Sequence, residues 1–281
     1  LVKIVTDSTA DLPAELKARH DISIVPLKVL FGEEVYRDGV DITPAEFYRK
    51  LREAKALPTT SQPAPAEFTE VYRELTRDGS PVISLHLSAG LSGTYQSAVI
   101  GAAAVEGADV TVLDTRSASI GLGLLAVEAD KAAKAGLSKA EILTLLDRAM
   151  ANNHVTLLVD TLEYLQKGGR IGRAQAMLGS LLNIKPILAL RDGLVTPVEK
   201  VRGQAKAVSR LAEVAAAEVS PEDRVVVSIA HAAVPEAAAA LLAKVKPFFP
   251  NLADSFVTDV GPVIGTHVGP GTLGVIVQAL P

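Results

Sequence analysis

The 281-residue sequence contains no cysteine and no tryptophan. The absence of cysteine removes disulfides, thiolate nucleophiles and cysteine-ligated metals together, and is compatible with a reducing compartment. No uninterrupted apolar run reaches the ~18 residues of a membrane-spanning helix. The opening Leu1-Val2-Lys3-Ile4-Val5-Thr6-Asp7-Ser8 enters a strand pattern directly, without a charged-then-apolar leader, so cytoplasmic residence is expected. Basic residues are not in excess: 28 Lys and Arg stand against 32 Asp and Glu, giving a net charge of -4. With no block of like charge and no evident recognition helix, the sequence argues against nucleic acid as a partner and against a DNA-binding regulator. A Walker sequence is also missing. None of the five histidines has a second histidine or a carboxylate at ligand spacing, so neither a metal site nor a cofactor is expected.

What is present is a composition of 48% hydrophobic and 21% charged residues, in a chain long enough for two domains of ordinary size. Strand patterns at Val2–Val5, Pro81–Leu85 and Val110–Leu113 alternate with helical patterns at Ala66–Arg77, Thr94–Val105 and Ser119–Ala135. Asp7-Ser8-Thr9 is expected to cap a short helix begun around Pro13. Pro26 divides the β-branched stretch Ile22–Leu30, and Thr43-Pro44 with Glu46 marks a helix start. The alternation predicts a parallel sheet covered by helices on both faces, with ligands bound beyond the carboxyl ends of its strands. Three polar loops fall there: Thr6–Thr9, Leu87–Thr94 and Asp114–Ser117. A second, smaller α/β domain follows, built from strands at His154–Val159, Pro186–Leu190, Leu194–Val201, Val225–Ile229, Ser255–Val260 and Leu273–Gln278. Its helices include one from the Lys167–Arg173 stretch to about Leu182. The expected division is 1–152 and 153–281. With no heptad seam or self-complementary strand edge, a monomer is expected.

Two hydroxyl-rich clusters stand out, Pro58-Thr59-Thr60-Ser61-Gln62-Pro63 and Ser88-Ala89-Gly90-Leu91-Ser92-Gly93-Thr94. Each gathers side-chain hydroxyls and backbone N–H groups before a helix, a setting that serves equally for capping the helix and for holding a small anion. The first reads as a stiffened turn too short for regular structure, since proline closes both ends. Gly90-Leu91-Ser92-Gly93-Thr94 departs from a serine-nucleophile elbow by carrying threonine where the second glycine belongs. His267 lies in the glycine-flanked Gly265-Thr266-His267-Val268-Gly269-Pro270-Gly271, read as a turn. Lys167-Gly168-Gly169-Arg170-Ile171-Gly172-Arg173 concentrates positive charge that suits phosphate or an acidic partner. A hydrolase using Ser92, or a phosphotransferase using His267, is the enzymatic alternative, but neither residue has an identifiable orienting acid in sequence.

Five ordered motifs together carry a resemblance. They are Thr59-Thr60-Ser61-Gln62-Pro63, Leu91-Ser92-Gly93-Thr94-Tyr95-Gln96-Ser97-Ala98, Tyr164-Leu165-Gln166-Lys167-Gly168-Gly169-Arg170-Ile171, Lys185-Pro186-Ile187-Leu188 and the His267 stretch. With Val5-Thr6-Asp7-Ser8-Thr9 they span nearly the whole chain, which resembles the DegV family of bacterial fatty-acid-binding proteins. The resemblance implies two α/β domains enclosing one long-chain fatty acid between them. It also implies a carrier without catalytic residues of its own, which presents the carboxylate to a separate fatty acid kinase. Thr60 and Ser92 are the carboxylate-binding positions it transfers, with Ser61, Gly93, Thr94 and His267 completing the ligand site. Arg170, Arg173 and Arg202 would lie toward the phosphate or the kinase. A C16-like tail of roughly fifteen methylenes, at ~0.8 kcal/mol each, gives ample gross driving force. With aromatics at only 4%, aliphatic side chains are left to line the tunnel.

Overall fold

Strand β1 (Lys3–Asp7) places Ile4 in one apolar layer and Val5 in another, because successive side chains of a strand point to opposite faces. The computed structural model that shows this describes residues 1–178 and 184–280. In chain order, β1 is followed by α1 (Ala14–Arg19), β2 (Ile22–Val25), β3 (Lys28–Phe31), β4 (Glu34–Arg37), α2 (Pro44–Glu53) and β5 (Thr59–Ser61). Next come α3 (Pro65–Leu75), β6 (Val82–His86), α4 (Thr94–Ala103), β7 (Val110–Asp114), α5 (Ile120–Lys134) and α6 (Lys139–Ala151). Strands β2, β1, β6 and β7, in that order, form an all-parallel sheet. Both of its faces are buried, as a parallel sheet demands. Val5, Val25 and Val82 meet Phe68 and Tyr72 of α3 and Ala98 of α4, while Ile4, Ile83 and Leu85 share a core with α5. A small antiparallel sheet, β4-β3-β5, stands beside it.

The second domain contributes β8 (Asn153–Leu158), α7 (Glu163–Lys167), β9 (Ile184–Arg191), β10 (Leu194–Arg202) and α8 (Gln204–Ala216). It continues with β11 (Val225–His231), α9 (Pro235–Val245), β12 (Leu252–Asp259), α10 (Pro262–Val268) and β13 (Leu273–Ala279). Its sheet has the order β10-β9-β8-β13-β11-β12, antiparallel except for the β11–β12 pair. One face packs Val227, Ile229 and Val275 with Leu211 of α8 and Leu241 of α9. The other face joins Val155, Leu157 and Ile276 to the core that holds Leu122 and Leu125 of α5 and Leu85 of the first sheet. The strands of the first sheet end at Asp114 and those of the second begin at Asn153, with α5 and α6 between them, while the apolar core between the sheets is continuous. The architecture is mixed α/β, a parallel-sheet domain and a second sheet domain.

Local signals account for many of the boundaries. Thr43 and Glu46 form a reciprocal capping box, with Glu46 N–H donating to Thr43 Oγ1 at 3.3 Å and Thr43 N–H to Glu46 Oε2 at 2.9 Å, and Pro44 opens the helix. Pro26 separates β2 from β3 as expected. Four details differ from the sequence reading. Asp7 accepts from Thr9 N–H and caps a 3-10 turn at Ser8–Ala10, whereas α1 starts after Pro13 with no side-chain cap. Thr59–Ser61 is a strand and not a turn, because β3 supplies a partner for its backbone: Thr60 pairs with Val29. His267 lies on α10 and not in a turn, since Pro262 initiates a helix that ends only at Gly269, where φ is 75°. Gly172–Met177 is a 3-10 helix; the expected continuation to about Leu182 enters 179–183, outside the described residues.

Buried polar groups fasten the loops at the carboxyl ends of the parallel strands. Asp7 is fully buried and accepts from His86 Nδ1–H at 3.0 Å, Leu87 N–H at 3.1 Å and Thr9 N–H at 3.0 Å. Ser88 N–H donates to Ser117 O and Ala89 N–H to Asp114 Oδ1, tying the second and third loops together. Replacing Asp7 by Ala strands the imidazole and two N–H groups in a water-free setting. Asp7→Ala is therefore expected to lower stability by about 3–5 kcal/mol, read as a fall in the urea midpoint at unchanged slope.

Candidate functional site

Between the two large sheets lies a cavity of about 260 Å³. Its wall is mainly aliphatic. Leu87 and Leu91 come from the loop after β6, Val155 and Leu157 from β8, Ile264 and Val268 from α10, and Ile276 from β13. No aromatic side chain lines it among the described residues. The polar lining gathers mainly at one end: Thr60, Ser61 and Gln62 from β5 and its exit, Ser92, Arg170 and His267. Ser61 and Gln62 are exposed and the other four are half-buried, whereas Leu87, Leu157 and Ile276 are buried, so the polar end is the mouth.

The mouth is assembled from both domains. Thr60 Oγ1 lies 2.9 Å from His267 Nε2 in a hydrogen bond across 207 positions of sequence. The ring of His267 packs so closely on Gly168 that a Cβ there would lie 2.3 Å from Nδ1, and Nδ1 itself is buried without a partner. Burial, and secondarily the Arg170 guanidinium, push the His267 pKa down to about 4, so the imidazole is neutral at pH 7. Arg170 is fixed by donating from Nε to Leu91 O at 3.1 Å and from Nη1 to Gly168 O at 2.7 Å. Ser92 Oγ is 2.9 Å from Thr94 Oγ1 and accepts from Thr94 N–H at 3.3 Å. Gln62 donates from Nε2 to Ser97 Oγ at 3.2 Å and lies against Gly93, where a Cβ would come within 2.5 Å of Gln62 Oε1.

Of the residues expected from the sequence, Thr60, Ser61, Ser92 and His267 line one mouth. Thr94 and Gly93 stand behind it, supporting Ser92 and Gln62. Arg170, expected on the side of a partner or a phosphate, is in the cavity wall. Arg173 is apart from it, 3.5 Å from Asp192 in an exposed ion pair, and Arg202 is exposed at the end of β10. The three arginines thus do not form one cluster. Gln62, which also lines the mouth, is not among the residues expected from the sequence; its place between Ser61 and Pro63 is the signal for it. Ser119 and Thr272, two further hydroxyls in the wall, carried no such signal.

Among the described residues no hydrogen bond joins Ser92 to a histidine or a carboxylate, and His267 at the mouth is bonded to Thr60. A serine, a histidine and an aspartate do stand in hydrogen-bonding order elsewhere, Ser84 Oγ at 2.7 Å from His86 Nε2 and His86 Nδ1 at 3.0 Å from Asp7. All three are fully buried, none lines the cavity, and Tyr72 OH donates to Ser84 Oγ at 2.8 Å, so this series of bonds braces the sheet end.

The helix that delivers His267 is held at its N-terminal end by the buried carboxyl group of Asp11, and a second, that of Asp38, lies close by. Gly261 N–H donates to Asp11 Oδ1 at 3.0 Å and Ser119 Oγ–H to Asp11 Oδ2 at 2.5 Å. Burial pushes the Asp11 pKa well above the carboxylate range, against the lowering effect of the Ser119 and Gly261 hydrogen bonds. Asp38 is likewise raised by burial, to about 7, and its Oδ2 is buried without a hydrogen-bond partner. Ser119 itself, at φ 54° and ψ -148°, holds a backbone conformation rare for a non-glycine residue.

A two-domain α/β protein with one aliphatic cavity, entered past hydroxyl, imidazole and guanidinium groups, is the class that these features define. The family model described as "Uncharacterised protein, DegV family" matches residues 1–280, and the chain belongs to that family. A DegV domain-containing protein of Streptomyces coelicolor is 43% identical over 281 residues, covering 99% of this chain and 98% of its own. A solved structure described as fatty acid binding of a DegV family protein from Thermus thermophilus has 40% identity and a TM-score of 0.94, covering 99% of each chain. The crystal structure of DegV from Bacillus subtilis, described as a fatty acid binding protein, has 36% identity and a TM-score of 0.90 over 99% of each chain.

The buried carboxyl group of Asp38 can be tested by titration. Its folded pKa of about 7 exceeds the ordinary value, so the folded protein keeps a proton that the unfolded chain releases. Its contribution to stability is complete below about pH 4, falls as the pH rises toward 7, and is flat above. Asp38→Asn should remove that contribution, so that stability relative to wild type grows between pH 4.5 and 7.5 in urea unfolding. A difference that does not change with pH would contradict the assignment.

Proposed function

We propose that the protein binds one long-chain fatty acid in this cavity, tail inward and carboxylate at the mouth, and acts as a carrier without catalysis of its own. The observation that carries the reading is the segregation of polarity along one cavity, donors at the half-exposed end and aliphatic wall beyond. A carboxylate taken from water needs several donors in return, and a partly hydrated mouth lowers the cost further. A neutral His267 protonated on Nε2 donates to Thr60 Oγ1, which leaves the threonine O–H for the ligand. Ser92 and Gln62 add donors, and Arg170 adds positive charge. Fatty acid binding by the Thermus thermophilus and Bacillus subtilis relatives supports the same ligand class.

The family resemblance extends the proposal to handing over the lipid. The carboxylate at the mouth is within reach of an external fatty acid kinase, and Arg173 and Arg202, exposed and outside the cavity, would serve docking or steering of that partner. The division at 1–152 and 153–281, a monomeric state and a cytoplasmic location belong to the same proposal. Among the described residues no helix is long and apolar enough to cross a membrane.

Denaturing mass spectrometry of the purified protein, with binding of added palmitate and oleate, tests the ligand class; no lipid recovered and no binding would sink it. Thr60→Ala and Ser92→Ala should each weaken binding by about 1–3 kcal/mol, with little change in lipid-free stability. Arg170→Ala is expected to lower affinity as well, whereas Arg173→Ala and Arg202→Ala should retain it and slow phosphorylation by the cognate kinase. Parallel loss of lipid and turnover in the last two would remove their docking role.

A further inference from the structure

Gly274 sits inside β13, in the middle of the six-stranded sheet, where glycine is a poor choice: it costs backbone entropy and leaves nothing to pack. Glycines in this protein otherwise have a visible reason. Among the described residues each of the others either has a positive φ, as at Gly269, or would drive a Cβ to 3.0 Å or closer to a neighbour, as at Gly121 and Gly123. Gly274 has neither. A Cβ built on it would meet Ile276 Cδ1 at 3.5 Å and Ala230 Cβ at 3.6 Å, ordinary van der Waals contacts. The fold thus has room for a side chain here and does not use it.

The missing side chain faces the cavity, which both Gly274 and Ala230 line. These two are register partners on adjacent strands, and Leu157 is the partner of Gly274 on the other side. The next residues of the same face along the strands are Ile276 and Val155, themselves paired. The Gly274–Ala230 pair is therefore a recess in the side wall, bordered by larger aliphatic side chains and not by the end of the tunnel. Such a recess adds width at one place, which a straight polymethylene chain does not need and a chain kinked by a cis double bond does.

Resting on the fatty-acid reading above, we infer that Gly274 and Ala230 are specificity-determining residues that admit a cis-unsaturated acyl chain by leaving local width in the tunnel wall. A methyl group at Gly274 fills that width without disturbing the sheet, because its contacts fall at normal distance. The same addition should spare or raise the stability of the lipid-free protein, since it removes a strand-interior glycine.

The test measures binding of stearate and oleate, equal in carbon number and different in the cis bond, to wild type, Gly274→Ala, Gly274→Val and Ala230→Val. Thermal melting of the lipid-free proteins is followed in parallel. The expected result is a fall of about tenfold or more in the oleate-to-stearate affinity ratio for Gly274→Val, a smaller fall for Gly274→Ala, and an unchanged or raised melting temperature for Gly274→Ala. Ala230→Val should shift the ratio in the same direction. An unchanged ratio in all three variants, whether both acids bind as before or both weaken together, overturns the inference while leaving fatty-acid binding intact. Failure of wild type to bind either acid overturns both.

Discussion

The carboxyl group of Asp11 is the joint on which the cavity depends. It accepts from Gly261 N–H at the start of α10 and from Ser119 Oγ–H at the start of α5, while Thr258 at the end of β12 donates to its backbone carbonyl at 2.9 Å. The loop after β1 is thereby fastened to the second domain and to the helix that lies between the sheets. Because α10 starts where Asp11 holds it, His267 near its other end comes to lie against Thr60 of β5. A polar group of the second domain thus completes a mouth that the first domain begins.

This fastening has a cost that the surrounding core offsets. Two carboxyl groups are buried near one helix start, and both are pushed toward the protonated form by loss of water. For Asp11 the donors are already in place, the Ser119 hydroxyl and the Gly261 N–H, whereas Asp38 Oδ2 has no hydrogen-bond partner. The same economy of donors appears around Asp7, where one carboxylate aligns the Leu87–Ser92 loop through Leu87 N–H and His86. Rigid loops then present Ser92 and Leu91 O at fixed positions, and Leu91 O in turn orients Arg170. A site held this way loses little freedom when it takes a ligand, which is what preorganisation contributes to binding.

Polarity along the cavity follows from the two sheet types. The parallel sheet ends in polar loops at its carboxyl edge, where backbone groups left without ladder partners are satisfied by Asp, Ser and Thr side chains. The mixed sheet of the second domain offers an apolar face that includes Val155, Leu157 and Ile276. Setting the first edge beside the second face gives a space with donors at one end and hydrocarbon along its length.

Much of this was legible in the residues. Alternation of strand and helix patterns, Pro26 between two strands, the Thr43–Glu46 capping box and the hydroxyl clusters around Thr60 and Ser92 are local features, decided by side-chain size, periodicity and short-range hydrogen bonds. What lay beyond the sequence depends on partners distant in the chain. Thr59–Ser61 is a strand only because β3 lies alongside. His267 is helical although glycines surround it, because Pro262 starts a helix and Asp11, some 250 positions earlier, receives the N–H of Gly261 at its N-cap. Arg170 looked like one of a basic set, yet its guanidinium turns to Leu91 O and the cavity while Arg173 turns to Asp192. The sequence by itself determined the elements, the two α/β halves and the hydroxyls suited to an anion. Only the tertiary structure decided which of those groups face one another, and where glycine leaves space, because burial and cavity shape are properties of surfaces brought together from both halves.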